Sequence, residues 1–74
     1  MTLNAIQKYI SAVEISIHPR VNSGLKTVMR SEMYNECLEQ GVGLYDTDFQ
    51  KLETEGFIKF NRKIKGAVQY TICA

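Results

Sequence analysis

The sequence contains few of the residues that build metal centres, disulfide frameworks and catalytic sites. It has one histidine, His18, and two cysteines, Cys37 and Cys73. Without a Cys-x-x-Cys or His-x-x-x-His pair, a metal site is not expected. A bond between the cysteines remains open, but a reduced, buried Cys37 is the expected state. Because no acid or nucleophile stands at a recognisable spacing from His18, we expect no enzyme activity and no cofactor.

Long apolar runs are missing as well. No segment approaches the roughly 20 apolar residues that span a membrane, and residues 1–10 lack the apolar block of a signal peptide. These absences predict a cytoplasmic protein with no membrane partner. At 74 residues, the chain is expected to form one domain, residues 1–74, with a small core.

The net charge is only +1, and it conceals an uneven distribution. All eight acidic residues precede Phe57, whereas four basic residues and no acidic residue follow it. A polyanion would therefore be attracted to the C-terminal segment rather than to the whole surface. Lysines on short strands also promote solubility and protect sheet edges, so this second explanation of the cluster remains open.

Hydrophobic periodicity predicts an N-terminal helix. Apolar residues recur at steps of three and four from Leu3, which predicts a helix that is capped by Thr2 and ends at Ser16 or Ile17. Pro19 is expected to prevent its continuation, because proline disfavours helical geometry in the residue before it. A loop over residues 20–24 should follow.

Two further helices are predicted in the middle of the chain. Ser31 is expected to cap the second helix, which ends near Gln40 because glycines follow it. Asp46 is expected to cap the third helix, which runs to about Glu55 before Gly56 turns the chain.

Three short strands complete the prediction, at residues 26–29, 57–61 and 67–73. They are expected to form a small antiparallel sheet whose last two strands are joined by a basic tip, with Asn61 and Gly66 supplying the turn. The predicted core consists of Ile6, Ile10, Val13, Leu38, Phe49, Leu52, Ile58, Val68, Tyr70 and Ile72.

The run from Leu52 to Ile58 is the most specific pattern in the chain. A leucine and an acid are followed, after two residues, by glycine, a bulky apolar residue and isoleucine. With its order of predicted helices and strands, the chain resembles the winged-helix family of helix-turn-helix proteins over residues 3–72. The resemblance implies an α+β winged helix of three helices and a small two- to three-stranded antiparallel sheet. It also implies that the third helix, residues 46–55, enters the major groove of DNA and that the wing, residues 61–66, contacts the phosphate backbone.

The residues of the third helix and of the wing suit these roles. At about 100° per residue, the helix face opposite Phe49 and Leu52 carries no acid. This outward stripe offers amide, ammonium and hydroxyl groups to base edges, and it consists of Thr47, Gln50, Lys51 and Thr54. The predicted phosphate contacts are Arg62, Lys63 and Lys65 in the wing and Arg30 at the start of the second helix.

These observations predict a small sequence-specific protein that binds double-stranded DNA and regulates transcription. A single domain of this size contacts few base pairs, which leaves a homodimer or a tandem array open. A net charge of +1 is low for a DNA-binding domain. The alternative is therefore a protein-interaction module, such as a small inhibitor or adaptor, that uses the winged-helix scaffold without binding DNA. Its contacts would come from Tyr34, Tyr45, Ile64 and the acids of the second and third helices.

Overall fold

The computed structural model describes residues 5–73, and the side chains from residue 7 onward. Over this range the chain forms an α+β fold with three helices and a three-stranded antiparallel sheet, which confirms the coarse fold prediction. The first helix is continuous and consists of α1 (Ala5–Ala12), a π-helical segment (Val13–Ile17) and α2 (His18–Asn22). The second is α3 (Arg30–Glu39) and the third is α4 (Asp46–Thr54). The strands are β1 (Thr27–Met29), β2 (Ile58–Ile64) and β3 (Ala67–Ile72).

Three predictions lie outside the described residues and side chains: the helix start at Leu3, its cap Thr2 and the core position of Ile6.

The first helix does not end before Pro19, contrary to the prediction. His18 keeps helical φ and ψ angles of −57° and −44°, and its N–H donates to the carbonyl of Val13, five residues earlier. This wider π turn precedes the proline, so Pro19 lies in the first turn of α2, where its missing N–H costs little. As a result, Arg20 is a helical residue, and the predicted loop shrinks to a turn at residues 23–24.

The two later helices begin with a different cap from the one predicted. The N-cap of α3 is Met29 rather than Ser31, and its N–H donates to the Glu32 carboxylate at 3.0 Å. The N-cap of α4 is Tyr45, whose N–H donates to the Asp48 carboxylate at 2.8 Å. In each case an acid at the third helical position satisfies the N-cap N–H, which is half of a capping box.

In the sheet, β3 lies between β1 and β2. The strands β2 and β3 form a hairpin whose turn residues, Lys65 and Gly66, have positive φ angles of 51° and 81°. Two such angles in a two-residue loop are typical of a type I′ turn. Because β2 extends to Ile64 rather than to residue 61, Arg62 and Lys63 lie on the strand and not in the turn.

The core is formed by residues of the three helices, the sheet and the segment before α4. Among the predicted core residues, Val68 is partly buried and packs against the core, and those that are buried are Val13, Phe49, Leu52, Ile58, Tyr70 and Ile72. Buried apolar residues outside the predicted core list are Ala12, Ile17, Val28, Met33, Cys37, Val42 and Leu44. Cys37 is free and buried, which confirms the state expected for it.

The core prediction is wrong for Ile10 and Leu38, which are both exposed. The buried face of the first helix includes Ala12 and Ser16, four residues apart, which leaves Ile10 at its edge. In α3, Cys37 is buried and Leu38, the next residue, points away from the core. Both errors arise because periodicity gives the width of an apolar stripe but not the direction in which the helix docks.

Candidate nucleic-acid interface

The helix α4 packs against the core through Phe49 and Leu52, both of which are buried. This orientation leaves the side chains of Thr47, Gln50 and Thr54 exposed on the outward surface of the helix. Tyr45, one of the contacts named for the alternative protein interface, is also exposed. It precedes α4 in an extended conformation, so helical spacing does not fix the direction of its side chain.

Two residues of the outward stripe already have partners within the protein. The Lys51 ammonium lies 3.0 Å from a carboxylate oxygen of Glu55 and 5.6 Å from the centre of the Tyr9 ring. The Thr54 hydroxyl donates to the backbone carbonyl of Gln50 at 2.9 Å. Exposed ion pairs one helical turn apart are weak, so Lys51 can exchange Glu55 for a ligand at small cost.

The strand β2 divides the predicted basic wing between the two faces of the sheet. A bulge at Asn61 shifts the register, after which Arg62 lies opposite Gln69 and Lys63 opposite Val68. Neighbouring strand residues point to opposite faces, so Lys63 shares the helix-facing side of the sheet with Val68. On the other face, the Gln69 amide oxygen accepts from Asn61 at 2.9 Å and lies 3.4 Å from Arg62 Nε. Turn chemistry was predicted for Asn61, and its place in this bulge overturns that prediction.

A groove of about 680 Å³ separates α3, the start of α4 and the hairpin. It brings three of the predicted features together: Thr47 from the outward stripe, Arg30 from α3, and Gly66 from the turn of the hairpin. The other residues of the outward stripe do not line it. The groove therefore joins one end of α4 to the hairpin, and the rest of the stripe continues along the helix outside it.

Arg30 lies within this groove and is held from two sides. Its guanidinium carbon is 4.4 Å from the centre of the Phe49 ring, and its Nη2 forms an ion pair with the Asp46 carboxylate. The Phe49 ring is stacked on Tyr70, with ring centres 6.0 Å apart. Burial raises the pKa of the Tyr70 hydroxyl, and the positive charge of Arg30 opposes that shift. The guanidinium thus lies against a buried aromatic pair.

The groove also contains polar and aromatic residues that the sequence analysis did not assign to a DNA contact. Ser31, Tyr34 and Asn35 line it from α3. Their spacing of three and four residues places them on one face of that helix. The sequence carries this signal, but Ser31 was interpreted as a helix cap and Tyr34 only as a contact of the alternative protein interface.

The wall formed by α3 is tied to the first helix by charged and polar contacts. The Arg20 guanidinium donates to both carboxylate oxygens of Glu36, each at 2.7 Å, and to the carbonyl of Ser16 at 3.0 Å. The Ser16 hydroxyl donates to Glu36 at 2.8 Å. The hydrogen bond from Arg20 is the main reason that the pKa of Glu36 lies below its usual value. Two acids of the second helix, Glu32 and Glu36, are therefore partly neutralised by Arg20.

Other kinds of site receive no support from the part of the chain that the structure describes. Both cysteines are free, with Cys37 buried and Cys73 exposed. Residues 5–73 contain no group of three histidines, cysteines or acids arranged to hold a metal ion. Within the same range, every helix is too short or too polar to cross a membrane.

The chain matches none of the protein-family models, and no curated protein and no solved structure matches it.

Proposed function

We propose that the chain is a winged-helix domain that binds double-stranded DNA in a sequence-specific manner and regulates transcription. In this proposal α4 enters the major groove and the hairpin β2–β3 is the wing. The observation that carries it is the groove that Thr47 of α4 and Gly66 of the hairpin turn share. A helix and a hairpin that border one groove can contact the bases and the backbone of the same duplex.

The exposed face of α4 offers the groups that discriminate between bases. The Gln50 side-chain amide suits the paired donor and acceptor of adenine, and the Thr47 hydroxyl and methyl group suit several base edges, including the thymine methyl. Lys51 can contact guanine once it leaves Glu55. Thr54 is an exposed residue of the outward stripe, although its hydroxyl donates a hydrogen bond to the Gln50 carbonyl.

The hairpin supplies contacts to phosphate. Lys63 points to the helix side of the sheet, and Lys65 lies in the turn, so both can approach a backbone that α4 also contacts. Arg62 points to the opposite face and is expected to contribute less. Each phosphate that a basic residue neutralises releases counterions, so affinity should fall steeply as salt is added.

The second candidate is a protein-interaction module. The exposed rings of Tyr34 and Tyr45, which both line the groove, favour it, because aromatic residues are common in protein interfaces. Glu32 and Glu36 are weaker support for a protein interface than the sequence alone suggests, because Arg20 pairs with both.

Binding to a pool of random duplex DNA, measured by fluorescence anisotropy at low and high salt, separates the two candidates. We expect saturable binding at low salt that weakens as salt rises. Substitution of the aromatic Tyr34 by alanine should leave most of this binding intact. A chain that binds no duplex at the lowest salt contradicts the proposal.

A further inference from the structure

Arg30 is held in place by a contact that does not depend on its charge partner. Its guanidinium carbon lies 4.4 Å from the centre of the Phe49 ring, and Phe49 is buried and stacked on Tyr70. Stacking on an aromatic face is a favoured arrangement for a guanidinium. The ring therefore keeps the Arg30 donors aimed into the groove whether or not an acid is bound to them.

The charge partner, in contrast, is much more exposed than Arg30. The side chain of Asp46 is 83% exposed, whereas that of Arg30 is 35% exposed. An ion pair with one partner this exposed is weak, because water and salt compete for the carboxylate. The Asp46 carboxylate can rotate into solvent while Arg30 remains on the Phe49 ring.

The groups around Arg30 suit an oxyanion larger than a carboxylate. The groove beside it has a volume of about 680 Å³, and Ser31, Asn35 and Thr47, which carry hydrogen-bond donors, line it. A guanidinium binds carboxylate and phosphate oxygens with the same paired geometry.

We propose that Asp46 occupies the place of a phosphate on Arg30, and that a phosphate oxyanion displaces it when a ligand binds. Under the proposed function, on which this inference rests, that oxyanion is a phosphodiester of the DNA backbone. Asp46 then competes with every phosphate, whatever the base sequence. It lowers affinity for all duplexes, so that stable binding requires the base contacts of α4 as well.

Replacing Asp46 with asparagine tests the competition directly. If Asp46 occupies Arg30 about nine-tenths of the time, Asp46→Asn should raise affinity for random duplex about tenfold. The salt slope should stay nearly unchanged, since Arg30 neutralises one phosphate in the bound state of both proteins. The matched control is Glu39→Gln, which removes one negative charge from an exposed residue at the end of α3, outside the groove.

A double variant tests whether the gain in affinity depends on Arg30. Adding Arg30→Met to Asp46→Asn should abolish the gain in affinity. The inference is overturned if Glu39→Gln raises affinity as much as Asp46→Asn does, or if the gain persists without Arg30.

A titration with inorganic phosphate separates this inference from the proposed function. The Arg30 Nε–H signal, followed by NMR, should respond to phosphate at lower concentrations in Asp46→Asn than in the wild type or in Glu39→Gln. If it does so while no variant binds DNA, the proposed function is wrong and the displacement of Asp46 stands, with a free phosphate or another phosphorylated ligand as the partner. Equal responses in Asp46→Asn and Glu39→Gln contradict the displacement.

Discussion

The guanidinium of Arg20 binds both carboxylate oxygens of Glu36, at 2.7 Å each, and so ties the first helix to α3. The side chain of Arg20 is only 13% exposed, so loss of its partner leaves a largely buried positive charge. Because α3 forms one wall of the groove and begins with Arg30, this pair holds that wall against the first helix.

Glu36→Gln should therefore lower the free energy of unfolding at neutral pH by about 1–2 kcal/mol, as expected when one member of a charged hydrogen-bonded pair is removed. Chemical denaturation monitored by circular dichroism measures this change. Glu39→Gln is the matched control on the same helix and should change stability by less than about 0.5 kcal/mol. Equal effects of the two substitutions would show that the pair does not stabilise the fold.

The same pair predicts how stability depends on pH. The pKa of Glu36 is lower in the folded state than its usual value of 4.5. The unfolded chain therefore binds a proton first as the pH falls, so the contribution of Glu36 is present above pH 4.5 and is lost as the pH drops through its folded-state pKa. In Glu36→Gln the fall in stability over this range should be smaller than in the wild type. An identical acid profile would contradict the assigned pKa shift.

In the turn of the hairpin, Lys65 supplies a positive charge but lowers the stability of the fold. Lys65 has a φ of 51°, in the left-handed region that asparagine tolerates better than lysine. Lys65→Asn should raise the free energy of unfolding by about 0.5–1 kcal/mol through relief of this strain. Under the proposed function it should also weaken binding to random duplex DNA, because a positive charge is lost from the turn. A variant that is less stable than the wild type would contradict the expected relief of strain.

The two faces of the hairpin should differ in their effect on DNA binding. Lys63→Ala should reduce affinity for all duplexes and flatten the salt slope by about one. Arg62→Ala removes the same charge from the opposite face of the sheet and should have a smaller effect on both quantities. Lys59→Ala, near the other end of β2, is a control for net charge alone. Equal losses from Lys63 and Arg62 would show that the sheet face does not determine contact.

Much of the fold follows from short patterns in the sequence. The spacing of Phe49 and Leu52 predicts α4, and alternation from Val68 to Ile72 predicts β3, because a buried helix face and a half-buried strand each impose a fixed period. The structure confirms both elements. The order of helices and strands follows from such patterns and needs no long-range information.

The remaining features depend on contacts between distant residues or on changes in backbone register. Pro19 does not break the first helix, because a π turn precedes it, and no local pattern indicates that turn. The bulge at Asn61 re-phases the strand, so alternation alone places Arg62 and Lys63 incorrectly. The pairing of Arg30 with Asp46 spans 16 residues, and no local pattern indicates it. Sequence spacing therefore identified Arg30 as a candidate but not its partner.

The most direct test of sequence-specific binding is selection of duplexes from a random pool by the wild type and by Gln50→Ala. We expect the wild type to select a short motif, and Gln50→Ala to lose preference at one position of it, since a paired base contact contributes about 1–3 kcal/mol of discrimination. Gln40→Ala, in the exposed residue that follows α3, should select the wild-type motif. A wild-type chain that selects no motif, or a Gln50→Ala variant that selects the same one, would contradict base recognition by α4.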